Sequence, residues 1–178
     1  IMNQSAFDRP DFPPDHPAYQ LSYRACVGVV LFNYQGLVFT GKRSTEKLPA
    51  DAPPWQFPQG GMDDGETPLC AARRELLEET GLEAEEVLYE VPCWLSYDLP
   101  EALIGEALKG KYRGQKQKWF AMKFNGTDAD VRLDAHEQVE FTDWQWRPLA
   151  DCVELVVPFK RHIYQYVAKQ FAHLAARR

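Results

Sequence analysis

The chain of 178 residues predicts an α+β fold in which a mixed β-sheet is layered against helices. Three observations carry that expectation. Short apolar runs bounded by turn residues recur along the chain, one stretch carries both ends of a helix, and the C-terminal stretch repeats apolar side chains at helical spacing. The length suits one compact core. The expected organisation is a proline-rich arm over residues 1–22, then a single domain over residues 23–178 closed by a C-terminal helix.

The arm carries Pro10, Pro13, Pro14 and Pro17 and lacks the basic head and apolar stretch of a signal peptide. Ala25 to Phe32 is rich in Val and reads as a buried strand. The turn residues Asn33-Tyr34-Gln35-Gly36 lead it into a second, antiparallel strand from Leu37 to Thr40. Pro49, Pro53 and Pro54 make Lys47 to Pro54 a loop, and Trp55-Gln56-Phe57 suits a short strand before the Gly60-Gly61 pair. Thr67 is placed as an N-cap, Pro68 as the first helical residue and Gly81 as the stop, which brackets a helix over 68–80. Val87 to Leu95, Lys118 to Phe124 and Phe141 to Trp146 read as further strands, with residues 100–117 a long loop or short helix. From Pro158 onward, Phe159, Ile163, Tyr166, Val167, Phe171 and Leu174 recur at the spacing of an amphipathic helix.

Composition narrows the function. Apolar residues make up 45% of the chain, and no uninterrupted apolar run is long enough for a membrane span. Cys26, Cys70, Cys93 and Cys152 are widely spaced without a zinc pattern, so they are expected as reduced, mostly buried thiols of a cytoplasmic protein. The net charge of -6 excludes a protein that holds DNA or RNA by bulk electrostatics.

Within the bracketed helix, Glu75, Glu78 and Glu79 stand at i, i+3 and i+4 and project within one sector. Such crowding is unfavourable, and Arg74 alone is spaced to pair with Glu78. A hard divalent cation resolves the conflict, since carboxylate oxygens suit Mg²⁺ or Mn²⁺. Three glutamates on a helix by themselves better suit a solvated acidic face. Their frame decides: Gly60, Glu66, Arg74, Glu75, Leu76, Glu78, Glu79, Gly81 and Leu82 fit G-x5-E-x7-R-E-U-x-E-E-x-G-U, where U is a bulky aliphatic. Leu76 lies on the opposite side of the helix from Glu78, where it anchors to the core.

That pattern resembles the Nudix box without a departure. The resemblance implies the Nudix fold, a mixed β-sheet in an α/β/α sandwich, and hydrolysis of a nucleoside diphosphate linked to another moiety. It further implies Glu75, Glu78 and Glu79 as cation ligands or base, the Gly60 carbonyl as a further ligand, Arg74 orienting the cluster, and Mg²⁺ or Mn²⁺ as cofactor. Which carboxylate takes the proton differs across the family, and Glu75 is preferred here.

Beyond the box, the runs Trp55 to Gly61, Trp94 to Pro100 and Gly114 to Phe120 continue the likeness, with Glu140-Phe141, Trp144-Gln145-Trp146 and Phe159-Lys160-Arg161. Together they resemble the bacterial RNA pyrophosphohydrolases and the similar diadenosine tetraphosphate hydrolases. The likeness implies Glu140 as a further ligand or base, Arg24, Arg43, Gln115 and Lys160 as contacts to the phosphate chain or first nucleotides, and Phe159 as an aromatic stacking on a base. A ring beside a cation suits a base and its phosphates together. The alternative is core packing for Phe159 and a solvated Lys160, and core packing is expected for Tyr97 and Trp119.

The loop Thr45 to Pro54 is longer than in the RNA enzymes, and Pro54 replaces a small polar residue there. Loop length and Tyr97-Asp98 lean toward dinucleoside polyphosphates. The Gly114 to Phe120 run and Val157 to Arg161 lean toward RNA. The resulting order is removal of pyrophosphate from 5′-triphosphorylated RNA first, as in RNA 5′ end processing and mRNA decay. Splitting of diadenosine tetraphosphate into ATP and AMP comes second, and a non-catalytic nucleotide sensor third. The oligomeric state is open.

Overall fold

The computed structural model describes residues 12–175, so the first eleven residues of the expected arm lie outside the described part. Ser22–Phe32 forms β1, whose stretch from Cys26 to Phe32 is buried throughout. A continuous apolar run suits such a central strand, covered on both faces. β1 runs parallel to β7, Tyr112–Lys123, from Ser22↔Tyr112 to Phe32↔Lys123. A side chain at Gly28 would stand 2.6 Å from the Trp119 ring, so the bare backbone there is what lets β7 seat its tryptophan.

The turn after β1 forms as expected. Asn33 Oδ1 accepts from the amides of Gln35 and Leu37, both at 3.0 Å, and Gly36 takes a φ of 76°. The hairpin then opens. β2, Val38–Arg43, meets β1 only at Phe32↔Val38 and pairs antiparallel with β3, Trp55–Gln56, and with β8, Phe141–Arg147. The vacated edge of β1 is taken by β4, Gln59–Gly61, a strand the sequence reading did not anticipate. Register thereby puts the glycine pair beside the first half of β1.

The strand expected over Val87 to Leu95 is two strands, β5 at Glu86–Glu90 and β6 at Leu95–Asp98, both antiparallel to β7. Pro92 lies between them and brings no N–H to a ladder. β7 itself begins at Tyr112, not Lys118, because its first half is polar on its inward side: Gln115 and Gln117 are buried. Hydrophobic alternation could not reveal that. Glu101–Leu103 and Ala107–Gly110 form 3₁₀ turns in the preceding stretch.

α1 spans Pro68–Thr80 as expected; Thr67 Oγ1 accepts from the Cys70 amide at 3.3 Å, and Gly81 ends the helix at a φ of 73°. A short α2, Cys152–Leu155, was not foreseen. The closing helix starts as a 3₁₀ turn, Pro158–Lys160, and continues as α3, Arg161–Ala175. Tyr164 rather than Tyr166 faces its core, where its hydroxyl accepts from the Phe57 amide at 2.9 Å.

Strand alternation divides the core. Val27, Val29 and Leu31 of β1 with Phe120 and Met122 of β7 meet Ala71, Ala72 and Leu76 of α1. Val30, Trp119 and Ala121 meet Ile163, Tyr164, Val167 and Phe171 of α3 on the other side. The sheet is thus sandwiched between helices. Leu76 is 1% exposed, so Leu76→Ala would cost about 2–5 kcal/mol and loosen α1 from the sheet.

Residues 12–21 pack onto the body: Phe12 and Ala18 are buried, and Arg113 lies 5.1 Å from the Tyr19 ring and 4.7 Å from the Tyr23 ring. Among the described residues no helix is long and apolar enough to cross a membrane. The cysteines are all free; Cys26 and Cys152 are buried, Cys93 is half-buried, and Cys70, against expectation, is exposed.

Candidate active site

Arg24 on β1 and Glu75 on α1 flank the Gly60-Gly61 pair. A methyl at Gly60 would overlap the Glu75 carboxylate, and one at Gly61 would overlap the Arg24 guanidinium. Bare backbone is therefore what lets an acid and a base approach the same place. The pair lines a cavity of about 440 Å³ into which Arg24, Arg43, Gly60, Glu75, Glu79, Gln115, Glu140, Phe159 and Lys160 all open. Of the predicted site residues, Arg74 and Glu78 do not line it.

Arg74 spends its donors beneath the cavity. Its guanidinium donates to Glu66 at 2.6 and 3.0 Å, Glu75 at 2.9 Å, Glu78 at 3.2 Å and the Gly61 carbonyl at 2.8 Å. This corrects the sequence reading that left Arg74 a single partner: much of the crowding on α1 is relieved by one guanidinium. The bidentate bond from Arg74 holds the Glu66 carboxyl below the usual range.

The unrelieved charge sits at Glu79. That carboxylate is 7% exposed and accepts from the Gln59 amide at 3.3 Å. Burial first, then repulsion from Glu75 and Glu140, pushes it well above the usual carboxylate range. Burial also raises Glu75, against the pull of Arg74. Glu140 arrives from another element: the β2 and β8 register sets Arg43 opposite Phe141, and Arg43 Nε donates to Glu140 Oε1 at 3.2 Å.

Among the described residues, no three acidic side chains already converge as a cation cage. The donor set nevertheless fits a divalent cation. Glu75, Glu79 and Glu140 offer oxygen donors of the hard kind, two of them held at raised pKa by burial, and the buried Gln59 Oε1 has no hydrogen-bond partner.

The opposite charge is supplied by Arg24, Arg43 and Lys160. Lys160 is not the solvated residue of the alternative reading: it is 5% exposed, donates to Gln56 Oε1 at 3.4 Å and lies 5.8 Å from the Tyr97 ring. Burial, and secondarily Arg43, lowers its pKa to about 7. Phe159 is half-buried, packs on Tyr97 at 5.5 Å between ring centroids and still lines the cavity. Trp119 is wholly core, whereas Tyr97 is buried yet also borders the cavity. Gln115 is held through its oxygen by Gln117, which in turn accepts from Trp119.

Sequence reasoning missed Gln56, Gln138, Leu103 and Leu108 as lining residues. Gln56 lies within the Trp55 to Gly61 run and carries a signal; the others carry no local signal.

A NUDIX domain family model matches residues 22–167 of the chain. The chain belongs to the NUDIX family. Among curated relatives, the RNA pyrophosphohydrolase of Rhodopseudomonas palustris is 50% identical over 161 residues, covering 88% of this chain and 95% of that one. The RNA pyrophosphohydrolase of Agrobacterium fabrum is 47% identical over 166 residues, covering 90% and 98%. A Caenorhabditis elegans Ap4A hydrolase complex shares the NUDIX fold at a TM-score of 0.58 and 22% identity, covering 84% of this chain and 98% of that one. The Escherichia coli dihydroneopterin triphosphate pyrophosphohydrolase does so at 0.60 and 18%, covering 84% and 99%. NUDIX hydrolases generally use divalent cations, in keeping with the donor set here.

Proposed function

We infer that this chain is a NUDIX pyrophosphohydrolase that removes pyrophosphate from the 5′-triphosphate end of RNA and leaves a 5′-monophosphate. The observation that carries the reading is one cavity with acids on α1 and before β8, and with Arg24, Arg43 and the buried Lys160 among its walls. The buried Glu79 with the half-buried Glu75 and Glu140 suits a cation; the buried Lys160 with the half-buried Arg43 and the exposed Arg24 suits a polyphosphate. Curated relatives at 47 to 50% identity over most of the chain support the RNA end as substrate.

In this reading Glu75, Glu79 and Glu140, with the Gly60 carbonyl, would hold Mg²⁺ or Mn²⁺, and Glu78, which Arg74 holds at 3.2 Å, would be a further ligand. A divalent cation so held would neutralise phosphate oxygens and ease ionisation of water. Arg24, Arg43 and Lys160 bind the phosphate chain, Gln115 donates its amide to it, and Phe159 stacks on a base. Arg74 orients Glu75 and Glu78. Glu75 accepts the proton of the attacking water as the α–β anhydride splits, and pyrophosphate leaves. The protein acts as one domain in the cytoplasm, on RNA and not on DNA.

Asp98, which leaned toward dinucleoside polyphosphates, is engaged instead by Arg113 at 2.6 Å. The test gives purified protein Mg²⁺ with 5′-triphosphorylated RNA or with diadenosine tetraphosphate and compares kcat/KM. A higher value for RNA is expected. A strong preference for the dinucleotide would move the second reading ahead, and no turnover of either would favour a sensor.

A further inference from the structure

The cavity has a wall that neither the acidic helix nor the cationic side chains supply. Leu103, Ala107 and Leu108, from the segment joining β6 to β7, line it in company with Phe159. All three also pack on the apolar cluster beneath α3, so each is anchored on one side and borders the cavity on another.

The backbone that presents them is unusual. Leu108 (φ 53°, ψ 41°) and Lys109 (φ 58°, ψ 22°) are consecutive non-glycine residues in the left-handed region. That conformation is costly and persists where the surroundings over-determine it. Here the surroundings do so. Glu106 N donates to Leu103 O at 3.2 Å, Lys111 N donates to Leu108 O at 3.3 Å, and the bare Gly110 passes close to the Gly105 carbonyl. At the base of the segment, Leu99 N donates to Arg113 O at 2.7 Å and Glu101 pairs with His16 at 3.2 Å.

A cavity with apolar side chains on one segment among guanidinium and ammonium groups fits a ligand that is flat and apolar at one end and polyanionic at the other. We propose that Leu103, Ala107 and Leu108 form a base-recognising wall, on which the terminal nucleobase of a 5′-polyphosphorylated substrate lies. The proposal deepens the pyrophosphohydrolase reading and rests on it. The wall offers no side-chain donor or acceptor, so it reads the face of a base and not its edge. Purines, with more apolar area to bury, are held more tightly than pyrimidines.

The test is calorimetric binding, without turnover, of adenosine 5′-(α,β-methylene)triphosphate, its uridine counterpart and methylene-substituted inorganic triphosphate in Mg²⁺. The wild-type protein should bind the adenosine ligand about tenfold tighter than the base-free one, with the uridine ligand between them. Leu108→Ala and Leu103→Ala should each weaken the adenosine ligand about fivefold and shift the base-free ligand less than about twofold, while Leu108→Met keeps wild-type affinity. Equal losses for both ligands, or no loss in a variant that melts like the wild type, would overturn the wall. Because binding is read without hydrolysis, its failure leaves the RNA assignment standing, and failure of that assignment in the hydrolysis assay leaves the base dependence measurable.

Discussion

α1 and the segment from Leu99 to Lys111 serve one cavity by different physical means. α1 places Glu75 and Glu79 with charge: Arg74 ties Glu66, Glu75 and Glu78 into one network, and Glu79 lies outside that network, buried and facing Glu75 and Glu140. The other segment carries its apolar side chains on a backbone held in left-handed turns, tied to His16 and Arg113. The difference separates chemistry from selection. Changes to the acids of α1 should alter turnover with the fold intact, whereas changes in the segment should alter binding or stability with chemistry intact.

The strongest test of that separation is Glu79→Gln, which should lower kcat by several orders of magnitude because a cation ligand is lost. The folded chain holds the Glu79 proton more tightly than the unfolded chain, so stability falls as pH rises past the ordinary carboxylate range. The neutral amide removes that loss. The melting temperature at neutral pH without added cation should therefore stay level or rise, and a large drop would mean that Glu79 is structural.

Gly60→Ala comes next. Its methyl overlaps the Glu75 carboxylate, and displacing that group by about 1 Å should cost roughly a hundredfold in kcat with KM little changed.

The pH dependence at Lys160 is smaller. Its ordinary value of 10.5 falls to about 7 in the folded chain. Between those values the unfolded chain holds the extra proton, so folding stability rises with pH across that window. Melting curves of Lys160→Met should lack this rise. The proposed phosphate contact needs the charged form, so KM should climb as pH passes about 7, and Lys160→Arg should hold it flat.

The smallest effect belongs to the segment itself. Lys109→Gly relieves a left-handed residue at φ 58° and should add about 1 kcal/mol of stability, roughly 3 °C in melting temperature. A destabilised Lys109→Gly would remove strain from the account of that segment.

The same two regions differ in how far their sequences revealed them. α1 was legible because its signals are local: Thr67, Pro68 and Gly81 mark its ends, and the acids repeat at its own period. The frame around it extended that legibility to Glu66 and Arg74, though not to the number of Arg74's partners, which depends on how the Asp63 to Glu66 turn folds back. Strand Val87 to Leu95 was misjudged because Pro92 splits it, and β7 was cut short because its buried glutamines look like surface residues. Leu103 and Leu108 could not be read as cavity residues. Nothing in their neighbourhood is periodic, and their placement depends on contacts to residues distant in sequence.

Cation binding decides the central claim most directly. Titration of Mn²⁺ into the wild-type protein and into Glu79→Gln, followed by calorimetry or by loss of the free-ion paramagnetic signal, reads the acidic site without any substrate. Saturable binding to the wild type that weakens at least tenfold in the variant is the expected result. Equal binding to both proteins, or none to the wild type at saturating Mn²⁺, would contradict the assignment of Glu79 as a cation ligand.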